Sequence, residues 1–111
     1  MSRKYPYSFI AYTKSGTAYT KAGSGFCSLD LLGASRVKGL VGNLVSADSM
    51  LCCSPADGAF FKKDGRVVVN KAGSFVALDI VYPDNIRGHH YEVYGKYNGT
   101  VKINEATGEL V

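Results

Sequence analysis

Apolar and polar residues alternate over short runs separated by glycine-containing turns, a period of two that predicts β-strands along most of the chain. Residues 8–12 and 17–21 flank Lys14-Ser15-Gly16 and read as a hairpin. Residues 59–62 and 66–70 flank Asp64-Gly65 and read as a second, tight hairpin. Residues 75–82 place Val76, Leu78, Ile80 and Tyr82 on one face and Phe75, Ala77 and Val81 on the other. Asp79 alone interrupts the second face, so this strand is expected to be central and covered on both sides. Pro83, which lacks a ladder donor, is expected to end it. Residues 91–97 and 100–104 read as strands paired around Asn98-Gly99. Ala106-Thr107-Gly108 makes a last turn before Leu110-Val111.

The middle of the chain follows a different pattern. Ser28 is placed to cap a helix whose residues Leu29, Leu32, Val37, Leu40, Val41 and Leu44 share one face. Gly33, Gly39 and Gly42 oppose it, each costing about 1 kcal/mol relative to alanine in a helix interior. A helix broken near Gly39 or Gly42 is therefore expected, with strand over 37–45 as the alternative. The fold class that follows is mainly β: a small antiparallel barrel or sandwich of about six to eight short strands with at most one short helix, and α+β as the alternative. The 111 residues are expected to form a single domain, 1–111, that buries roughly two-thirds of its unfolded surface.

One short repeat stands out. Ala11-Tyr12-Thr13-Lys14-Ser15-Gly16-Thr17 recurs as Ala18-Tyr19-Thr20-Lys21-Ala22-Gly23-Ser24, too brief to define a solenoid, and reads as two similar strand-and-turn pieces.

Charge sharpens this picture. The formal net charge is +4, and all of it lies in residues 1–53, which hold six basic and two acidic residues against seven and seven in the remainder. The same first stretch carries Tyr5, Tyr7, Phe9, Tyr12, Tyr19 and Phe26. Cations interleaved with aromatic rings suit a single-stranded nucleic-acid platform, where lysines follow phosphates and rings stack on bases. The same pattern suits a half-buried hairpin with tyrosines on one face and lysines on the other, and no nucleic-acid signature accompanies it. Lys-x-Gly occurs at four turns, led by Lys14, Lys21, Lys63 and Lys71. Tips gathered at one end of the fold would form a cationic rim for phosphates or an acidic protein surface. The candidate binding residues are thus Arg3, Lys4, Tyr5, Tyr7, Tyr12, Lys14, Tyr19, Lys21, Lys63 and Lys71.

Catalytic chemistry is sparse. Arg87-Gly88-His89-His90-Tyr91-Glu92 offers general acid–base groups, with His89, His90 and Glu92 as weak candidates, but adjacent strand residues face opposite sides. A zinc site from Cys52, Cys53, His89 and His90 lacks the spacing that lets paired ligands reach one metal. A nucleophilic pair of histidine with Cys27 or Cys52 has no local signature. Gly23-Ser24-Gly25 is not followed by Gly-Lys-Ser/Thr and is no nucleotide phosphate loop. No metal site and no cofactor are expected. Three cysteines, an odd number, argue against a disulfide framework and for a reducing compartment. No apolar region follows the opening Met1-Ser2-Arg3-Lys4, so a cytoplasmic protein is expected, with no membrane span. Asn98-Gly99-Thr100 fits a glycosylation acceptor, but in that setting the turn reading prevails.

Lys71-Ala72-Gly73-Ser74-Phe75 followed by Asp79-Ile80-Val81-Tyr82-Pro83 resembles, over about a dozen residues, the strand-and-proline stretch of some phage head-decoration proteins. That resemblance implies a viral or assembly-type role. The expectation is a small non-enzymatic protein-binding domain, acting as a viral or phage accessory, inhibitor or assembly protein by surface complementarity. Its partner would be another protein or a second copy of itself. A nucleic-acid-binding module using the basic, aromatic first half is the alternative, and a small Cys/His or His/Glu hydrolase the second.

Overall fold

The computed structural model describes residues 5–30, 48–87, 90–104, 106–107 and 109–110, with backbone alone at 84–87 and 90. Among these, the chain forms strands β1 (Tyr7–Ser15), β2 (Ala18–Asp30), β3 (Ser49–Cys53), β4 (Arg66–Lys71), β5 (Ser74–Arg87), β6 (His90–Thr100), β7 (Ile103–Asn104) and β8 (Glu109–Leu110), with a 3₁₀ turn at Asp57–Phe60. The first six close into an antiparallel barrel in the order β1-β2-β3-β6-β5-β4, and β7 pairs with β8 in a separate two-stranded sheet. The expected mainly β class is realised as a barrel. Closure gives every barrel strand a hydrogen-bonded neighbour on both sides over part of its length.

Period-two alternation sorts the side chains into two clusters. Inside the barrel, Phe9, Ala11, Cys27, Leu51, Cys53, Val67, Val69, Val76, Leu78, Ile80, Tyr91 and Val93 come from all six strands. Phe61, which follows the 3₁₀ turn, packs 5.1 Å from Phe9 and 6.4 Å from Tyr91, measured between ring centroids. Gly23 lets this turn approach β2, because a Cβ there would lie 2.6 Å from the Phe60 ring. On the outer wall of β1, β4 and β5, Tyr12, Val68 and Ala77 form a second buried group. Val101, Ile103 and Leu110 of the C-terminal hairpin pack against it. The strand at 75–82 is thus covered on both faces, as its pattern predicts, with the second cover supplied by residues after β6.

Several local expectations are corrected. Residues 59–62 are not a strand. Asp57–Phe60 is 3₁₀, and Gly65 closes the following turn by donating to the Lys62 carbonyl at 3.0 Å, with Asp64 at φ 68. Pro83 does not end β5. It lies within the strand, where the register slips between Tyr82 and Asn85, and a bulge needs no ladder donor at the extra residue. A further slip between Ile80 and Tyr82 turns Tyr82 off the Ile80 face to the outer wall, where its ring stacks on Tyr94 with centroids 6.4 Å apart.

Asn98-Gly99 is not a hairpin turn either. β6 runs through both residues to Thr100, which pairs with Val76. Gly99 has φ 73, the conformation of a bulge glycine, and Asn98 Nδ2 donates to Asp79 Oδ2 at 3.0 Å instead of turning the chain. Ile103–Asn104 accordingly pairs with β8 rather than β6. Ser28 caps no helix: Ser28, Leu29 and Asp30 continue β2 in register with Cys52, Leu51 and Met50. The remainder of the helix expectation, through residue 45, lies outside the described residues. Among the described residues, no helix is long and apolar enough to cross a membrane.

Candidate functional site

The β1–β2 hairpin folds the heptapeptide repeat back on itself. Lys14 pairs with Tyr19, Thr13 with Thr20 and Tyr12 with Lys21, and the register slips between Ala11 and Tyr12. Antiparallel pairing places Lys14 beside the Tyr19 ring, with Nζ 5.8 Å from its centroid. On the other side of β1, Tyr12 pairs with Arg66 of β4, and the Arg66 guanidinium carbon lies 4.7 Å from the centroid of the same Tyr19 ring. Two cations therefore address one tyrosine, each interaction contributing about 0.5–1 kcal/mol at a partly exposed site.

Arg66 is fixed in turn by β5. Its Nε donates to Asp79 Oδ1 at 2.9 Å, and the second oxygen of Asp79 accepts from Asn98. The carboxylate is about two-fifths exposed (41%), which puts this pair in the range of about 0–1 kcal/mol. Its structural consequence is larger than its energy: the Asp79 charge is offset, and Arg66 is held over the Tyr19 ring.

Around this arrangement opens a groove of about 650 Å³, lined by Lys14, Gly16, Tyr19, Lys63, Asp64, Asp79, Ile80, Val81 and Lys96. Lys14 comes from the first hairpin, Lys63 from the turn before β4, and Lys96 from β6 opposite Asp79. None of the three lysines is ion-paired with a described carboxylate, and the terminal nitrogens of Arg66 have no described hydrogen-bond acceptor. Backbone bonds fix the rim: Asp64 N–H donates to the Ile80 carbonyl at 3.1 Å, and Ile80 N–H to the Gly65 carbonyl at 2.9 Å. A wall tied by backbone bonds and carrying three lysines with no described ion-pair partner is suited to holding an anion.

The candidate binding residues scatter more than their sequence suggests. Lys14, Tyr19 and Lys63 line the groove. Lys71 lies in the β4–β5 hairpin, at the end of β4 away from Arg66, and Lys21 is exposed on β2 outside the groove lining, so the four Lys-x-Gly tips do not make one rim. Tyr12 cannot meet a partner, because it is fully buried (0%) beneath the C-terminal hairpin. Burial, and secondarily the charge of Glu109, raises its phenol pKa. Tyr7 is half-buried against the barrel interior, and Tyr5 is half-buried and already partnered. Arg3 and Lys4 lie outside the described residues. Lys96 escaped sequence reasoning because it stands in no turn; its signal is a register position opposite Asp79, which a sequence alone does not supply.

The catalytic candidates do not assemble among the described residues. Cys52 and Cys53 face opposite sides of β3, Cys53 in the interior and Cys52 half-exposed. Cys27 is the register partner of Cys53, and all three thiols are free. Burial pushes the Cys27 thiol well up, with Cys53 and Cys52 adding to it, and pushes Cys53 up to about 12, with Asp57 and Cys52 adding. Both thiols stay protonated at neutral pH, a poor state for a nucleophile or a metal ligand. Glu92 is buried, accepts a 2.9 Å hydrogen bond from the Tyr94 hydroxyl, and pairs in register with Cys52. His89 lies outside the described residues, as does the side chain of His90. No group of three or more His, Cys, Asp or Glu residues suited to a metal ion occurs among the described residues.

Comparison with protein-family models, with curated proteins and with solved structures finds no match.

Proposed function

We propose that this protein is a non-enzymatic binding domain that holds an anionic segment of a partner protein in the Lys14–Lys63–Lys96 groove. The observation that carries the reading is that three lysines with no ion-pair partner among the described residues line one groove. The closed barrel supports it further: every barrel strand has neighbours on both sides, which favours recognition through side chains over strand addition. Three free cysteines, two of them buried, suit a reducing compartment. A viral or assembly-type role, with an acidic surface of a partner as its target, is consistent with this mode of binding.

A protein segment is favoured over single-stranded nucleic acid because of where the rings lie. Phe26, Tyr82 and Tyr97, the exposed large aromatics, do not line the groove. Tyr19, the ring that does line it, already has its π-system engaged by Arg66 and Lys14. Stacking on bases needs free aromatic faces beside the cations.

The test is a pair of anisotropy titrations at low salt, one with a labelled glutamate-rich peptide and one with a labelled mixed oligonucleotide, on the wild type and on Lys63→Glu/Lys96→Glu. The reading expects peptide binding that weakens on charge reversal. It fails if the peptide does not bind at low salt, if charge reversal leaves its affinity unchanged, or if the oligonucleotide binds the same groove more tightly than the peptide.

A further inference from the structure

We infer that the groove recognises a phosphorylated side chain, carried on the partner segment proposed above, rather than a run of carboxylates. The inference rests on that reading and deepens it by naming the ligand chemistry.

The lining sets the charge requirement. Three lysines face the groove together with Asp64 and Asp79. Asp79 is offset by its bond to Arg66 and by the Asn98 amide. Asp64 has no described cationic partner, so it repels any anion that enters. A single carboxylate brings one charge against that repulsion and loses hydration on entry. A phosphate monoester brings about −1.5 to −2 charges and three strong acceptor oxygens, so attraction to the lysines and repulsion by Asp64 both rise up to twofold, and the net pull of three cations against one anion rises with them.

Donor number points the same way. Besides the three ammonium groups, the Tyr19 hydroxyl of the lining has no described protein acceptor. A carboxylate offers two oxygens to these donors, whereas a phosphate monoester offers three in a tetrahedral array, which can meet cations arriving from separate elements. Lys14, Lys63 and Lys96 do arrive from separate elements, a hairpin tip, a loop and a strand.

Size leaves room for more than a free ion. A groove of about 650 Å³ falls within the ~300–1,000 Å³ range of sites for drug-sized ligands and is far larger than inorganic phosphate. Half-buried Val81 adds an apolar contact to the lining, suited to the stem of a modified residue, while Ile80 borders the groove with its side chain buried in the barrel. The ligand inferred is therefore a phosphoserine, phosphothreonine or phosphotyrosine within a peptide.

The experiment uses one short acidic peptide in two forms, with and without phosphate on a central residue, titrated into the intact protein by calorimetry. Inorganic phosphate and a mixed oligonucleotide serve as competitors. The phosphorylated form is expected to bind at least about tenfold more tightly, and Lys63→Gln and Lys96→Gln each to reduce that affinity by about tenfold while leaving the thermal midpoint in place. Millimolar inorganic phosphate is expected to compete weakly. Equal affinity for the two forms overturns this inference and leaves the acidic-segment reading standing; failure of both forms to bind overturns both. Phosphopeptide binding that survives the two lysine substitutions also overturns it, as does displacement by the oligonucleotide at equal or lower concentration.

Discussion

Tyr12 and Tyr19 occupy the same position in two copies of one heptapeptide, and the fold gives them opposite fates. Tyr12 is fully buried on the outer wall of β1, sealed by the C-terminal hairpin with Val68 and Ala77. Tyr19 lies half-buried at the rim of the groove with Arg66 and Lys14 against its ring. Nothing local separates Ala-Tyr-Thr-Lys from Ala-Tyr-Thr-Lys. What separates them is register: β1 has β4 as its second neighbour, whereas β2 leaves toward β3, so Tyr12 is enclosed in the outer-wall cluster and Tyr19 packs at its margin. The comparison teaches that a tyrosine in this chain is structural where the hairpin covers it and available to a ligand where the barrel wall is open.

The comparison can be broken directly. Tyr12→Ala should cost about 3–5 kcal/mol of unfolding free energy, the range for removing a large buried ring, whereas Tyr19→Ala should cost about 1 kcal/mol, measured by urea titration. Equal costs would mean that the two sites are not distinct. Removing residues 101–111 should lose about 3 kcal/mol by uncovering the Tyr12 cluster, and should then make Tyr12→Ala nearly as mild as Tyr19→Ala, a coupling that a double-mutant cycle reads.

Alkaline pH sharpens the contrast. The Tyr12 phenol is raised from its ordinary 10.0, and the Cys53 thiol from 9.0 to about 12. In both, the unfolded chain loses its proton first as pH rises, so the folded state holds more protons. The stabilisation is complete below pH 9 and is lost, for Cys53, between 9 and about 12. Thermal midpoints should fall across that window, less steeply in Tyr12→Phe and Cys53→Ala. A profile unchanged by either substitution would contradict the assigned burial. The smallest effect is expected at Gly99, where alanine would have to adopt φ 73. A loss of about 1 kcal/mol is expected, with the C-terminal hairpin loosened in hydrogen exchange.

Much of the barrel was legible because alternation survives wherever a strand is flat. Val67 and Val69 point inward and Val68 outward, as their order requires. Reading failed where one extra residue entered a strand. Tyr82 was assigned to the Ile80 face and lies on the other, because a bulge reverses every side chain beyond it. Pro83 and Asn98-Gly99 looked like ends and turns because those residue types also serve bulges, and only the pairing partner distinguishes the two uses. For the site, Lys14 and Lys63 were visible as turn lysines, but Lys96, Arg66 and Asp79 come together through pairings between β4, β5 and β6. The sequence alone does not reveal those pairings.

The most direct test of the groove is a backbone amide NMR titration of the intact protein with a phosphorylated acidic peptide at low salt. The account predicts shifts concentrated at Gly16, Tyr19, Asp64 and Lys96, with Tyr12 and Phe26 unmoved. Shifts centred on Phe26 and Ser8, or none under these conditions, would contradict it.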